Sequence, residues 1–211
     1  MVLLFGIDSI AGTKQKTPES FEVDPFLSRA SVKVKYTLGS YEIPNQDVRG
    51  QLELHPSKGL SRVHVAFGNQ GFRSGNPALD CHLQESLGLD YKESDFPEKH
   101  VCEKDRLPVK GKNSVRYPEV TFRSMDGALT FSKVSEKPLE LNVAGDWSIH
   151  GIERPVTLRI QIEKYQEGYR VRGKGTLSLK DFGVEVKKFL FISVNDEVQA
   201  EWDLVFRPEN P

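Results

Sequence analysis

Cys81, His82, His100 and Cys102 form the one plausible metal or redox constellation in the sequence. Two thiolates and two imidazoles make a zinc donor set. Their placement works against it, because Cys81 and His82 are adjacent in a segment that reads as a helix, where neighbours point in different directions. The simpler chemistry is redox. Cys81 and Cys102 are the chain's two cysteines; in an oxidising compartment such a close pair would join, whereas a reduced cytoplasm would leave two thiols. A Cys81–Cys102 disulfide and no metal is the expectation.

Other chemistry is set aside on similar grounds. Asp80 and His82 suggest acid–base work, but residues two apart on a helix do not face each other, so a capping or barrel-closing contact is the simpler role. "GYRVRGKG", from Gly168 to Gly175, nearly spells a phosphate-binding loop. It ends in glycine where Ser or Thr must hold magnesium, and it alternates like a strand. No Gly-x-Ser-x-Gly elbow occurs.

The elements that must position these residues are mostly strands. "SVKVKYTL" puts Val32, Val34, Tyr36 and Leu38 on one face, "VRGQLEL" puts Val48, Leu52 and Leu54 there, and "RVHVAF" adds Val63, Val65 and Phe67. "LELNVAGDWSI" and "VTLRIQI" continue the period of two, and "YRVRGKGTLSL" and "VQAEWDLVF" close the series. Pro118 precedes "EVTFRS", the first-strand position that a residue without an N–H can occupy. One segment differs. In "NPALDCHLQESLG", Asn76 is an N-cap, Pro77 fits the first helical position, Gly88 fits the stop, and Leu79, Leu83 and Leu87 form an apolar stripe. Antiparallel strands in one run, without βαβ spacing, imply a barrel or sandwich; similar lengths and short turns favour an up-and-down barrel.

Bulk composition bounds the function. The 211 residues are 37% hydrophobic and 28% charged, with net charge −1, an ordinary globular balance that gives no electrostatic reason to expect nucleic acid. The apolar run "MVLLFGI" is too short to span a bilayer and makes a poor signal peptide, so residues 1–17 read as a flexible lead or the remnant of one. Residues 18–211 read as one domain, and 88–114 as a long polar insertion.

Several motifs, in order, resemble the YceI family. "RYPEVTFRS" is similar to its Tyr-Pro strand signature, "ALDCHL" to its Asp-x-His-Leu helix, which supplies Asp80 and His82, and "VRGQLEL" to its Val-x-Gly strand. "GDWSIHGIERPVTL", "LKDFGV" and "VNDEVQAEWDLVF" follow in the family's order. The sequence departs at Leu79, where the family usually has Arg, at Trp147, where it often has Leu, and in the longer stretch from Leu83 to Tyr117. The resemblance implies an all-β fold: an eight-stranded antiparallel lipocalin-like barrel with one short helix and a long loop insertion. It also implies a non-enzymatic role, the binding, transport or storage of a polyisoprenoid, quinone-like lipid, in the periplasm or outside the cell.

Within that barrel the expected interior is Val34, Tyr36, Leu52, Val65, Phe67, Phe122, Leu129, Phe131, Val143, Gly145 and Trp147, followed by Leu158, Ile160, Leu177, Phe182, Phe189 and Phe191. Gly145, Gly173 and Gly175 interrupt this face where a side chain is due, and beside the aromatics they suggest a channel for a slender chain. A disulfide-held insertion would sit over the barrel mouth. No cofactor, nucleic acid or stable membrane insertion is expected, and a homodimer is compatible with such a barrel. A filled barrel serving as a protein-interaction module is the alternative, ahead of an enzyme acting on a bound lipid.

Overall fold

The computed structural model describes residues 18–55, 61–95, 102, 114–127, 135–185 and 194–209. Among them, strands β1 (Glu19–Val23), β2 (Arg29–Tyr36), β3 (Gly39–Asn45), β4 (Val48–Leu54) and β5 (Ser61–Gly68) precede helix α1 (Pro77–Gly88). Strands β6 (Glu119–Ser124), β7 (Leu139–Ile149), β8 (Ile152–Tyr165), β9 (Gly168–Ser178) and β10 (Val194–Pro208) follow it.

These ten strands make eight staves of one closed antiparallel barrel. Long β10 pairs with β1 at its C-terminal end, Val23 opposite Phe206, and with β2 further back, Ala30 opposite Trp202. Strand β4 pairs with β1 and β3 with β2, so β1 and β2 form one bent stave and β3 and β4 its neighbour. The remaining pairs run in sequence order from β4 to β10, which closes the ring and leaves few open edges. Both bends have local causes. At the first, the Asp24 carboxylate accepts from the Phe26 and Leu27 amides at 2.9 and 3.2 Å, an Asx turn that interrupts the stave. At the second, Asn45 Oδ1 accepts from the Asp47 amide at 2.9 Å while Nδ2 donates to Gly68 O at 2.9 Å.

The period-two patterns place their residues inward as expected. Leu52, Val65, Phe67, Phe122, Val143, Trp147, Leu158 and Ile160 are all buried. Pro118 lies immediately before β6, where its missing N–H costs no ladder bond and its carbonyl accepts from the Asn69 amide at 2.8 Å. Leu38 departs from its predicted face, sitting in the β2–β3 turn at 79% exposure. Strands β1 and β3 carry no clear alternation in sequence. In β3, "GSYEIPN" contains Gly, Ser and Pro, and only Ile43 and Asn45 are buried; Pro44 is tolerated because β3 ends the sheet order. Leu129, Phe131, Phe189 and Phe191, and most of the 88–114 insertion, lie outside the described residues.

Candidate ligand chamber

Helix α1 closes one end of the barrel, and its sequence fixes where it starts and stops. Asn76 Oδ1 accepts from the Ala78 and Leu79 amides at 3.0 and 3.3 Å, and Pro77 takes the first helical position. Gly88 ends the helix, and its carbonyl accepts from the Arg116 and Tyr117 amides at 2.8 and 3.0 Å, joining the helix to the segment that leads into β6. Cys81 and Cys102 are buried and disulfide-bonded, with Cα atoms 5.5 Å apart. The helix is thus held at both termini and at mid-length.

Between α1 and the barrel lies an apolar chamber of about 420 Å³, a size typical of small-molecule sites. Leu79, Leu83 and Leu87 of the helix stripe face into it, opposite Val32, Val34, Tyr41 and Ile43 of β2 and β3. Tyr36 and Tyr41 stack at 4.9 Å where the β2–β3 hairpin meets the chamber wall. The helix contributes polar groups at His82, Glu85 and Ser86, and Ser31, Asn45 and Glu201 add others from the strands. The Glu85 carboxylate is almost fully buried and lies 3.3 Å from His82 Nδ1, the geometry of an imidazole donating to a carboxylate. Its other oxygen lies against the Cys102 sulfur at 2.6 Å. A disulfide sulfur has no proton, so this contact is not a hydrogen bond. Cys81, Glu85 and Cys102 bring two sulfurs and a carboxylate together as a thiophilic ion would require, but the bonded sulfurs offer no thiolate.

Below the chamber the barrel is filled. A second cavity of only about 30 Å³ lies there, enclosed by Val63, Val65, Phe122, Val143, Leu158 and Ile160, among others. Three side chains line both spaces: Phe67, Trp147 and Trp202. Their rings form a partition, with Trp147 centred 6.1 Å from Phe67 and 6.4 Å from Trp202, and Phe122 backing Trp147 at 5.4 Å. The Trp147 N–H has no hydrogen-bond partner among the described residues; its neighbours are ring faces, which are weak acceptors.

Gly145 and Gly173 therefore do not open a channel, contrary to the expectation from sequence. A Cβ on Gly173 would lie 2.5 Å from the Trp202 ring, and one on Gly145 would lie 2.7 Å from the Phe122 ring and 2.4 Å from Arg123 O. Those gaps are already occupied by aromatic side chains. At Gly175 a Cβ would make only ordinary contacts, the nearest at 3.7 Å from Leu158.

The expected interior residues thus divide by level. Val34, Tyr36, Phe67, Trp147 and Leu177 line the chamber. Val65, Phe122, Val143, Leu158 and Ile160 surround the lower void. Leu52 and Phe182 are buried but line neither space, and Gly145 serves as the seat of Phe122. Asp80 and His82 do not act together. The Asp80 carboxylate accepts from the Ser74 amide and hydroxyl, both at 2.6 Å, tying the helix to the preceding loop, whereas His82 turns to the chamber and Glu85. Trp202, Tyr41 and Ile43 were missed. Trp202 follows Val198 and Ala200 at period two on β10, a signal present in the sequence; the other two lie on β3, whose pattern is masked by its polar residues.

Comparison with known proteins agrees with this architecture. The YceI-like domain family matches residues 21–206. The chain belongs to the YceI family. Among solved structures, BcnA of Burkholderia cenocepacia is 18% identical with a TM-score of 0.60, over 87% of this chain and 98% of its own. A polyisoprenoid binding domain from Saccharophagus degradans, implicated in plant cell wall breakdown, is 8% identical with a TM-score of 0.66, over 90% of this chain and 99% of its own. At these identities the likeness is one of fold. A search of the curated proteins returns no match to the sequence. The chain is a YceI-type barrel of the non-catalytic, hydrophobic-ligand-binding kind. Among the described residues no helix is long and apolar enough to cross a membrane.

Proposed function

We propose that this protein binds and carries a polyisoprenoid lipid in the bacterial envelope, with the chain enclosed between α1 and the barrel. The observation that carries the reading is the chamber itself: about 420 Å³, walled mainly by leucine, valine, isoleucine and aromatic side chains, with few polar groups among them. The polyisoprenoid binding domain of similar fold lends the ligand class, and the disulfide suits an oxidising compartment.

The energetics favour retention. At about 0.8 kcal/mol per buried methylene, each five-carbon unit gains roughly 3–4 kcal/mol before the cost of ordering it. Two or three units suffice for tight binding. Protein purified without detergent from its native host, extracted into organic solvent and analysed by mass spectrometry, should yield an isoprenoid lipid. An empty extract from folded protein would favour a protein-interaction role for the barrel, and a non-isoprenoid lipid would correct the ligand class.

A further inference from the structure

The partition across the barrel interior limits how deep any cargo can go. Phe67, Trp147 and Trp202 are common to the chamber and to the void beneath it, and they come from three different strands, β5, β7 and β10. Two of the three rings are seated on the side away from the chamber. Trp202 lies where Gly173 lacks a Cβ, and Phe122, seated against Gly145, supports Trp147 from below. The space underneath, about 30 Å³, is far smaller than the roughly 150 Å³ that six carbons require.

We propose that Phe67, Trp147 and Trp202 form a fixed floor that sets the length of chain this protein encloses, so that its cargo is a short-chain prenyl lipid. The inference rests on the chamber being a prenyl-lipid site. Its length follows from volume. A chamber of about 420 Å³ is nearly three times the roughly 150 Å³ cavity that takes one six-carbon benzene ring, so it holds about seventeen non-hydrogen atoms. That is about three five-carbon units. A longer chain gains nothing from its extra units, because they stay outside the chamber. Each tryptophan ring system has nine non-hydrogen atoms, so replacing one with a smaller side chain opens about one more unit of depth.

The test uses the delipidated full chain and prenyl alcohols of two, three, four and eight units, with affinities read by displacement of dansyl-labelled farnesol. The expected wild-type series rises by about tenfold or more from two units to three and then levels off. In Trp147→Leu, which keeps an apolar side chain and so protects folding, the rise should extend to four units. A second variant works in the opposite direction without opening the core. Ala200→Leu, on the chamber side of Trp202, fills empty space and should bring the plateau down to two units. Wild-type affinity that keeps climbing from three units to eight overturns the floor, as does a plateau that stays at three units in both variants. If none of the alcohols binds folded wild-type protein, the prenyl-lipid reading of the chamber falls, and the length limit falls with it.

Discussion

Gly173 and Gly175 lie two residues apart on the same inward face of β9, yet they should respond oppositely to the same substitution. At Gly173 a new methyl would sit 2.5 Å from Trp202 Cζ2 and 2.6 Å from Cε2, well inside contact distance of the ring. Alanine there must displace the indole, and overpacking of this kind costs about 1–3 kcal/mol. At Gly175 the nearest atoms are at 3.7 and 3.8 Å, so a methyl fits. Removing glycine from a compatible strand position narrows the unfolded ensemble and stabilises by about 0.4–1 kcal/mol. The two variants should therefore differ by about 1.5–4 kcal/mol. Urea unfolding followed by far-UV circular dichroism measures both, and near-UV dichroism reports whether the tryptophan environment changes in Gly173→Ala alone. Equal stabilities would refute the placement of Trp202 in the Gly173 gap, and with it the division of the barrel into chamber and filled base.

Two further outcomes follow from the fold. Cys81 and Cys102 close a loop of 21 residues, so the double change to alanine should lower unfolding free energy by about 3 kcal/mol; the same drop in wild type under reductant, measured by urea unfolding, checks it, and a change below about 1 kcal/mol would contradict it. His64 is held below the ordinary histidine range by burial and by the Arg123 guanidinium opposite it on β6. The unfolded chain then binds the proton more readily, so stability falls as pH drops below about 6.5. His64→Gln should flatten that part of the pH–stability curve, and an unchanged slope would assign the acid loss to other groups.

The staves with strict alternation were legible in the sequence because one face of each is buried and the other is wet, and the helix was legible from Asn76, Pro77 and Gly88 at its ends. The disulfide followed from two nearby cysteines and a choice of compartment. What period-two reading cannot give is depth. Val143 and Trp147 share a face of β7, yet one borders the filled base and the other the chamber floor, because level along the barrel depends on which residues are brought opposite one another by register and closure. The glycines were misread for the same reason. Alternation shows that a side chain is missing, while the occupant of the gap comes from a neighbouring strand: Trp202 of β10 for Gly173, Phe122 of β6 for Gly145. Strand β3 contributes Tyr41 and Ile43 to the wall through a sequence whose proline and polar residues hide its strand character.

The most direct test of a chamber closed by α1 and floored by tryptophan is to map where a bound chain ends. A farnesyl-length prenyl alcohol carrying a diazirine at its apolar terminus, photolysed in complex with the protein, labels whatever that terminus touches, and peptide mass spectrometry identifies the residues. Labelling is expected at Trp147, Trp202 and neighbouring Val198 or Ala200, with loss of labelling when an unlabelled prenyl alcohol competes. Labelling of Val143, Leu158 and Ile160 would place the chain through the supposed floor, and labelling confined to outward-facing strand residues would place it outside the barrel altogether.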